Sequence, residues 1–277
     1  MIKDPQNTNQ RLIYHLLSSV ITPRPIALVS SVDAEGNQNL APFSFFNMVS
    51  VNPPILVFSP LSRMRNNTSK DTLNNAKITK EVVINILGFD HIGQVSLAGG
   101  EYESSVNEFD KAGFNTEKSI KVAPPRVKEA IASFECKVND IISFGPDGGA
   151  GNLIVCEVVL AHFQDDILDT DGHVMIGSFT PVGRLGKSYY IKGTDDSIFE
   201  VEKDGKGSGI GWDQLPDFIR QSSALTGNEI SALASINILP VVERQATSLS
   251  DEKKILEVKR MLAEGNINKA WEVILRG

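Results

Sequence analysis

The chain has 277 residues, enough for one large domain or two smaller ones with a buried core, and its 41% hydrophobic and 22% charged residues are ordinary for a globular protein. A net charge of -7 and a pI near 5.2 argue against a nucleic-acid partner, which favours a basic surface. No apolar run approaches the roughly 20 residues a membrane helix needs, and Met1–Asn7 lacks the apolar segment of a signal peptide, so a cytoplasmic location is expected.

Asn9–Leu17 reads as either a short helix or a lead-in strand. After Thr22-Pro23-Arg24-Pro25, the run Ile26–Val32 is apolar and β-branched and predicts a strand, which Ala34-Glu35-Gly36-Asn37 can reverse into a hairpin. A polar-aromatic segment follows, Ala41-Pro42-Phe43-Ser44-Phe45-Phe46-Asn47. Asn52-Pro53-Pro54 then stops the chain before Ile55–Ser59, a second buried strand. Ser69–Ala76 predicts a short helix with Thr68 or Ser69 as N-cap, and its first turn would offer unpaired amide groups.

Glu81–Leu87 predicts a strand. Asp90–Ala98 predicts a helix ended by Gly99-Gly100, and Glu103–Phe114 a second helix closed near Gly113. Two long strands, Ser133–Phe144 and Leu153–Gln164, flank a glycine-rich turn. Each carries one cysteine, Cys136 and Cys156, read as free buried thiols rather than a disulfide or a nucleophile. Many short strands with few long helices predict a mainly antiparallel barrel. Lys203–Gly209 is polar and glycine-rich and marks the expected boundary between a barrel domain, 1–203, and a helical extension, 204–277. Within the extension, Asp213–Ser222 predicts a helix, Thr226–Glu229 is a capping box, and two amphipathic helices, Asp251–Glu264 and Ile267–Ile274, follow.

Four motifs stand in a particular order: Pro23-Arg24-Pro25-Ile26-Ala27-Leu28-Val29-Ser30, Asn39–Asn47, Asn52-Pro53-Pro54 and Lys70-Asp71-Thr72-Leu73. In that order the chain resembles the flavin reductase-like family of the FMN-binding split barrel, from about Thr22 to Gly193. The resemblance implies a split β-barrel, bound FMN, NADH or NADPH as reductant, and a homodimer with flavin near the interface. It also implies that Ser44, Phe45, Phe46 and Asn47 contact the flavin ring, and that Ser59, Ser69, Lys70, Asp71 and Thr72 form the phosphate end, where amide dipoles and hydroxyls converge on an anion. Taken without the resemblance, Phe43 or Phe45 fills a core and Lys70 is a solvated helix-start cation. Arg24 and Arg184 stand outside this set, as surface charges or as partners of a nicotinamide phosphate.

Nothing else in the sequence competes for chemistry. His15, His91, His162 and His173 form no cluster, and no G-x-S-x-G elbow, H-E-x-x-H pair or P-loop is present. Gly205–Gly211 has alternating glycines but follows no strand, so it reads as a linker rather than a dinucleotide fingerprint. Because a flavin carries the hydride itself, a missing triad does not exclude an enzyme. The expected function is therefore NAD(P)H:flavin oxidoreduction. The competing reading is a non-catalytic FMN-binding or electron-carrier protein that docks a partner through its helical tail.

Overall fold

The computed structural model describes residues 1–201, 209–241 and 249–276, which divide into two compact units, Met1–Ile198 and Phe199–Gly277. The stretch 203–208, expected as the domain edge, lies outside the described residues. In chain order the first unit contains α1 (Gln10–Val20), β1 (Ala27–Val32), β2 (Gln38–Phe43), β3 (Phe46–Val51), β4 (Pro54–Phe58), α2 (Asp71–Thr79) and β5 (Glu81–Ile86). It continues with α3 (Ile92–Ala98), α4 (Glu108–Ala112), β6 (Thr116–Glu117), β7 (Arg126–Val127), β8 (Ala132–Ser143), β9 (Asn152–Phe163), β10 (Val182–Arg184) and β11 (Tyr190–Lys192).

Seven strands form one antiparallel sheet in the order β2-β1-β5-β8-β9-β4-β3. Its two outermost strands are consecutive in the chain, and only Ser44 and Phe45 lie between them. Three Cα steps span at most about 11 Å, so the sheet must curl until its edges nearly meet. This is a split barrel. Register shifts at Glu135/Cys136 and Val138/Asp140 in the β8–β9 hairpin supply bends of the kind such a curl requires.

Alternation along the strands fills the inside. Ala27 and Val29, Val82 and Ile84, Cys136 and Val138, Ile154 and Cys156, and Leu56 and Phe58 point inward, with Leu73 and Ala76 of α2 in the same cluster. Burial pushes the Cys156 thiol up to about 12 and Cys136 well above its ordinary value, as inert core thiols require. The other face of β1 and β2 is covered as well: Leu28 and Leu40 pack with Val95, Ala98, Phe109 and Ala112 of α3 and α4. With both faces covered, every residue of β1 is buried, Ser30 and Ser31 included, which is why apolar residues occupy both of its faces.

Of the two alternatives for Asn9–Leu17 the structure has the helix, capped by the Asn9 side chain. Two local expectations need correction. The N-cap of α2 is Lys70 rather than Thr68 or Ser69, because the Lys70 carbonyl takes the amides of Leu73 and Asn74. The helix expected over Glu103–Phe114 is only the five residues of α4, started by the Asn107 side chain on the Phe109 amide.

The second unit is helical, with α5 (Asp217–Arg220), α6 (Gly227–Ala234), α7 (Asp251–Ala263) and α8 (Ile267–Leu275). Thr226 and Glu229 form the expected capping box at α6. Its core gathers Leu215, Ile219, Leu233, Val258 and Trp271, and the Trp271 indole N–H donates to the Leu233 carbonyl at 2.9 Å. Among the described residues no helix is long and apolar enough to cross a membrane.

Candidate functional site

The split between β2 and β3 opens into a cleft of about 280 Å³. One wall is the end of β2 and the two-residue strap after it: Ala41, Pro42, Phe43, Ser44 and Phe45. Tyr14 of α1 closes this apolar end, its ring 6.5 Å from Phe45 in an edge-on arrangement. The strap is held from two sides. Ser59 donates its amide to the Phe45 carbonyl at 2.9 Å, and Arg24 reaches the Ser44 hydroxyl at 3.4 Å.

Arg24 is 8% exposed and donates to the carbonyls of Ser18, Ile21 and Leu185 as well, so its charge is spent on backbone. Burial depresses its pKa. It is a structural tie between α1, the strap and the 185 loop. Arg184 pairs backbone to backbone with Arg24 and lies 4.5 Å over the Tyr190 ring.

The opposite end of the cleft is cationic and rich in donors. Lys70, Asp71 and Thr72 line it at the start of α2, beside Arg63. The first amides of a helix have no intrahelical acceptor, and those of Asp71 and Thr72 have none among the described residues. Arg63 is anchored on the Ser69 carbonyl and pairs with Asp71 at 3.6 Å. Asp71 therefore neutralises and orients an arginine. The Thr72 hydroxyl accepts from the Asn39 amide at 2.9 Å.

Asn39, Glu108, Tyr102 and the Gly99-Gly100 pair complete the lining. Glu108 is 8% exposed, and one of its oxygens accepts the Leu40 amide at 3.0 Å. Burial raises its carboxyl, and neither that hydrogen bond nor Lys70 nearby brings it back to the ordinary range. Gly100 permits the close approach of Tyr102: a Cβ there would stand 2.7 Å from the ring.

Of the expected site residues, Ser44, Phe45, Ser59, Lys70, Asp71 and Thr72 meet at this one cleft, from segments far apart in the chain. Phe46 instead packs against the barrel core. Asn47 is exposed on β3, where its side chain accepts the Met48 amide. Ser69 sits one residue before Lys70 and contributes its carbonyl to Arg63. Sequence reasoning missed Tyr14, Arg63, Tyr102 and Glu108 as lining residues. It quoted Asn39 within a motif without giving it a role, and read Gly99-Gly100 only as a helix stop.

The donor set fits a flavin mononucleotide. An aromatic and proline-lined slot suits a flat ring, and Lys70, the Asp71-paired Arg63 and free helix-start amides suit a phosphate at the far end.

Comparison with known proteins gives the family. The family model described as "Flavin reductase like domain" matches residues 18–179. A protein from Aquifex aeolicus (strain VF5) is 39% identical over 196 residues, 71% of this chain and 97% of its own length. Among solved structures, nitrilotriacetate monooxygenase component B from Bacillus cereus aligns with a TM-score of 0.67 at 29% identity, covering 73% of this chain and 98% of that one. The 2-nitrobenzoate 2-nitroreductase of Pseudomonas fluorescens aligns with a TM-score of 0.65 at 28% identity, covering 76% and 100%. Each relative is thus matched almost end to end, while roughly a quarter of this chain extends beyond it. With more than half its length matched by the family model and its strands curled around a cleft of this composition, the chain belongs to the flavin reductase-like family.

Proposed function

We propose that the cleft binds FMN and that the protein is an NAD(P)H-dependent flavin oxidoreductase. The observation that carries this reading is the convergence of the Ser44-Phe45 strap and the α2 start on one cleft of matching chemistry. When bound, FMN supplies hydride and electron transfer, so the side chains need provide no nucleophile. What they provide is placement. Lys70, Arg63, the free amides of Asp71 and Thr72, and the hydroxyls of Ser59, Ser69 and Thr72 hold the phosphate end; Phe45, Pro42 and Tyr14 flank the ring. Asn47 and Phe46 keep their family-implied place at the ring edge as part of this proposal, although the cleft lining runs through Phe45.

The same reading includes a homodimer. Its support is the apolar surface left exposed on α1 and the edge strand β3, where Val20, Met48 and Val51 are 75%, 62% and 80% exposed. Light scattering on the purified full chain is expected to give twice the 30.2 kDa chain mass, and a monomer would remove this part of the reading.

Two measurements test the rest. Replacing Lys70 and Thr72 together by alanine should weaken FMN binding at least about tenfold and leave riboflavin nearly unaffected; equal retention of FMN would rule out the phosphate site. Adding NADH or NADPH to FMN-loaded protein without air should bleach the flavin absorbance rapidly. A spectrum that stays oxidised over many minutes favours the electron-carrier alternative.

A further inference from the structure

A second pocket, of about 160 Å³, opens between the start of β1, the end of β5, α3 and the segment 179–182, and it shares no lining residue with the flavin cleft. Leu28 and Val95 are its buried floor, and Pro25 and Pro181 stand exposed at its rim. Asn85 is its one lining residue with a polar side chain, and the fold already uses that side chain. The Asn85 carbonyl oxygen accepts the Val127 amide at 2.9 Å and the Ser133 hydroxyl at 2.8 Å, and its amide donates to the Leu28 carbonyl at 3.0 Å.

The space persists because the segment over it is fastened by main chain on both sides. Phe89 donates its amide to the Thr180 carbonyl at 3.0 Å, and Gly193 donates its own to the Pro181 carbonyl at 2.8 Å. Settling inward would break these bonds, so the gap cannot close by collapse. Water gains little from entering, since it needs two to four polar partners and the rim prolines have no N–H to give. An apolar cavity of roughly 150 Å³ stays dry and takes up a benzene ring.

One cation adjoins this apolar space. Lys192 of β11 lies directly opposite Val182 of β10, so the two side chains share a face, and Val182 lines the pocket. From there the Lys192 ammonium reaches across to Phe89, 4.0 Å from its ring centroid and two residues beyond Leu87, another lining residue. Among the described residues it pairs with no carboxylate.

We propose that this pocket is a second ligand site, one that takes a small apolar ring bearing a single carboxylate. The ring fills the space over Leu28 and Val95, and the carboxylate meets the Lys192 ammonium at the rim. The proposal does not depend on what the cleft binds.

Calorimetric titration of the full chain with benzoate, benzyl alcohol and acetate, before and after saturation with FMN, tests it. Benzoate is expected to bind about fivefold more tightly than benzyl alcohol, as an exposed ion pair allows, and at least about tenfold more tightly than acetate, which lacks the ring. FMN should leave benzoate affinity unchanged within about twofold, because the two sites share no residue. Lys192→Met should bring benzoate down to the affinity of benzyl alcohol and leave the alcohol unaffected. Val95→Phe, which fills the floor, should abolish binding of both ring compounds; should it not fold, Ile92→Phe fills the same space from a partly exposed position. The proposal is overturned if benzoate does not bind, is displaced by FMN, binds no more tightly than benzyl alcohol, or binds Lys192→Met or the filled variant as well as the unaltered protein.

Discussion

Two buried glutamates in the first unit show how differently one side chain can be employed. Glu135, on β8, is fully buried and receives the amides of Ile120 at 2.8 Å and of Lys121, with the His162 ring nitrogen at 2.7 Å. Burial alone would raise its carboxyl, but the donors together outweigh it and hold the group below its ordinary value. Glu108 has only backbone donors, the Leu40 amide and its own, with no charged partner bonded to it, and burial wins. The first is a closed account: a loop sewn to a sheet, with every acceptor occupied. The second keeps capacity in hand, and it does so on the wall of a cleft.

The contrast can be broken most forcefully at Glu135. Glu135→Ala should cost about 3 kcal/mol, because it strands two amides against the sheet; urea denaturation measures it, and a loss within about 0.5 kcal/mol, as for a surface residue, would erase the distinction. Acidity provides the next lever. A lowered native pKa means that Glu135 contributes stability above the unfolded value of about 4.3 and loses it as pH falls through the native value. A raised one means that Glu108 favours the fold below about 4.3 and ceases to as pH rises through its native value. Stability measured from about pH 3 to 7 should therefore show the Glu135→Gln deficit growing with pH, and Glu108→Gln gaining on the unaltered protein over the same range. Parallel curves would contradict the assignment.

A smaller effect is expected at the wall itself. Gly100→Ala must push the Tyr102 ring aside, since the new methyl would stand 2.7 Å from it; FMN affinity should drop several-fold, about 1 kcal/mol. Thermal melting should move little. The smallest expected change is the stability of Glu108→Gln near pH 3, where the native carboxyl is neutral and the cap on Leu40 survives, within about 0.5 kcal/mol of the unaltered protein.

Much of the barrel was legible because its strands carry simple patterns. β1 is buried on both faces and reads as a short apolar and β-branched stretch; β8 and β9 are long and joined by a glycine-rich turn. β2 was legible only as the far arm of the hairpin turned at Gly36-Asn37, and β3 was not legible as a strand. The first contains a proline that only an outer strand tolerates, and the second leaves Asn47, Met48, Val49 and Val51 exposed, so neither shows one clean apolar face. At α2 two hydroxyl residues precede the helix, yet Thr68 bonds Asn66 and Arg63 instead of capping. The cleft's two ends were found through ordered motifs, whose meeting no periodicity announces. Glu108 and Tyr102 left no signal at all: an acidic residue in the first turn of a short helix looks like an ordinary complement to the helix dipole.

The link Ser44-Phe45 carries one more implication. It is the sole covalent join between the sheet's outermost strands, so a chain severed between these two residues would have its new ends at opposite margins of the sheet. Roundness would then depend on side chains reaching across the interior, such as Phe43 against Phe58 at 5.2 Å, and the binding crevice would lose its fixed aperture before the strands lost their pairing.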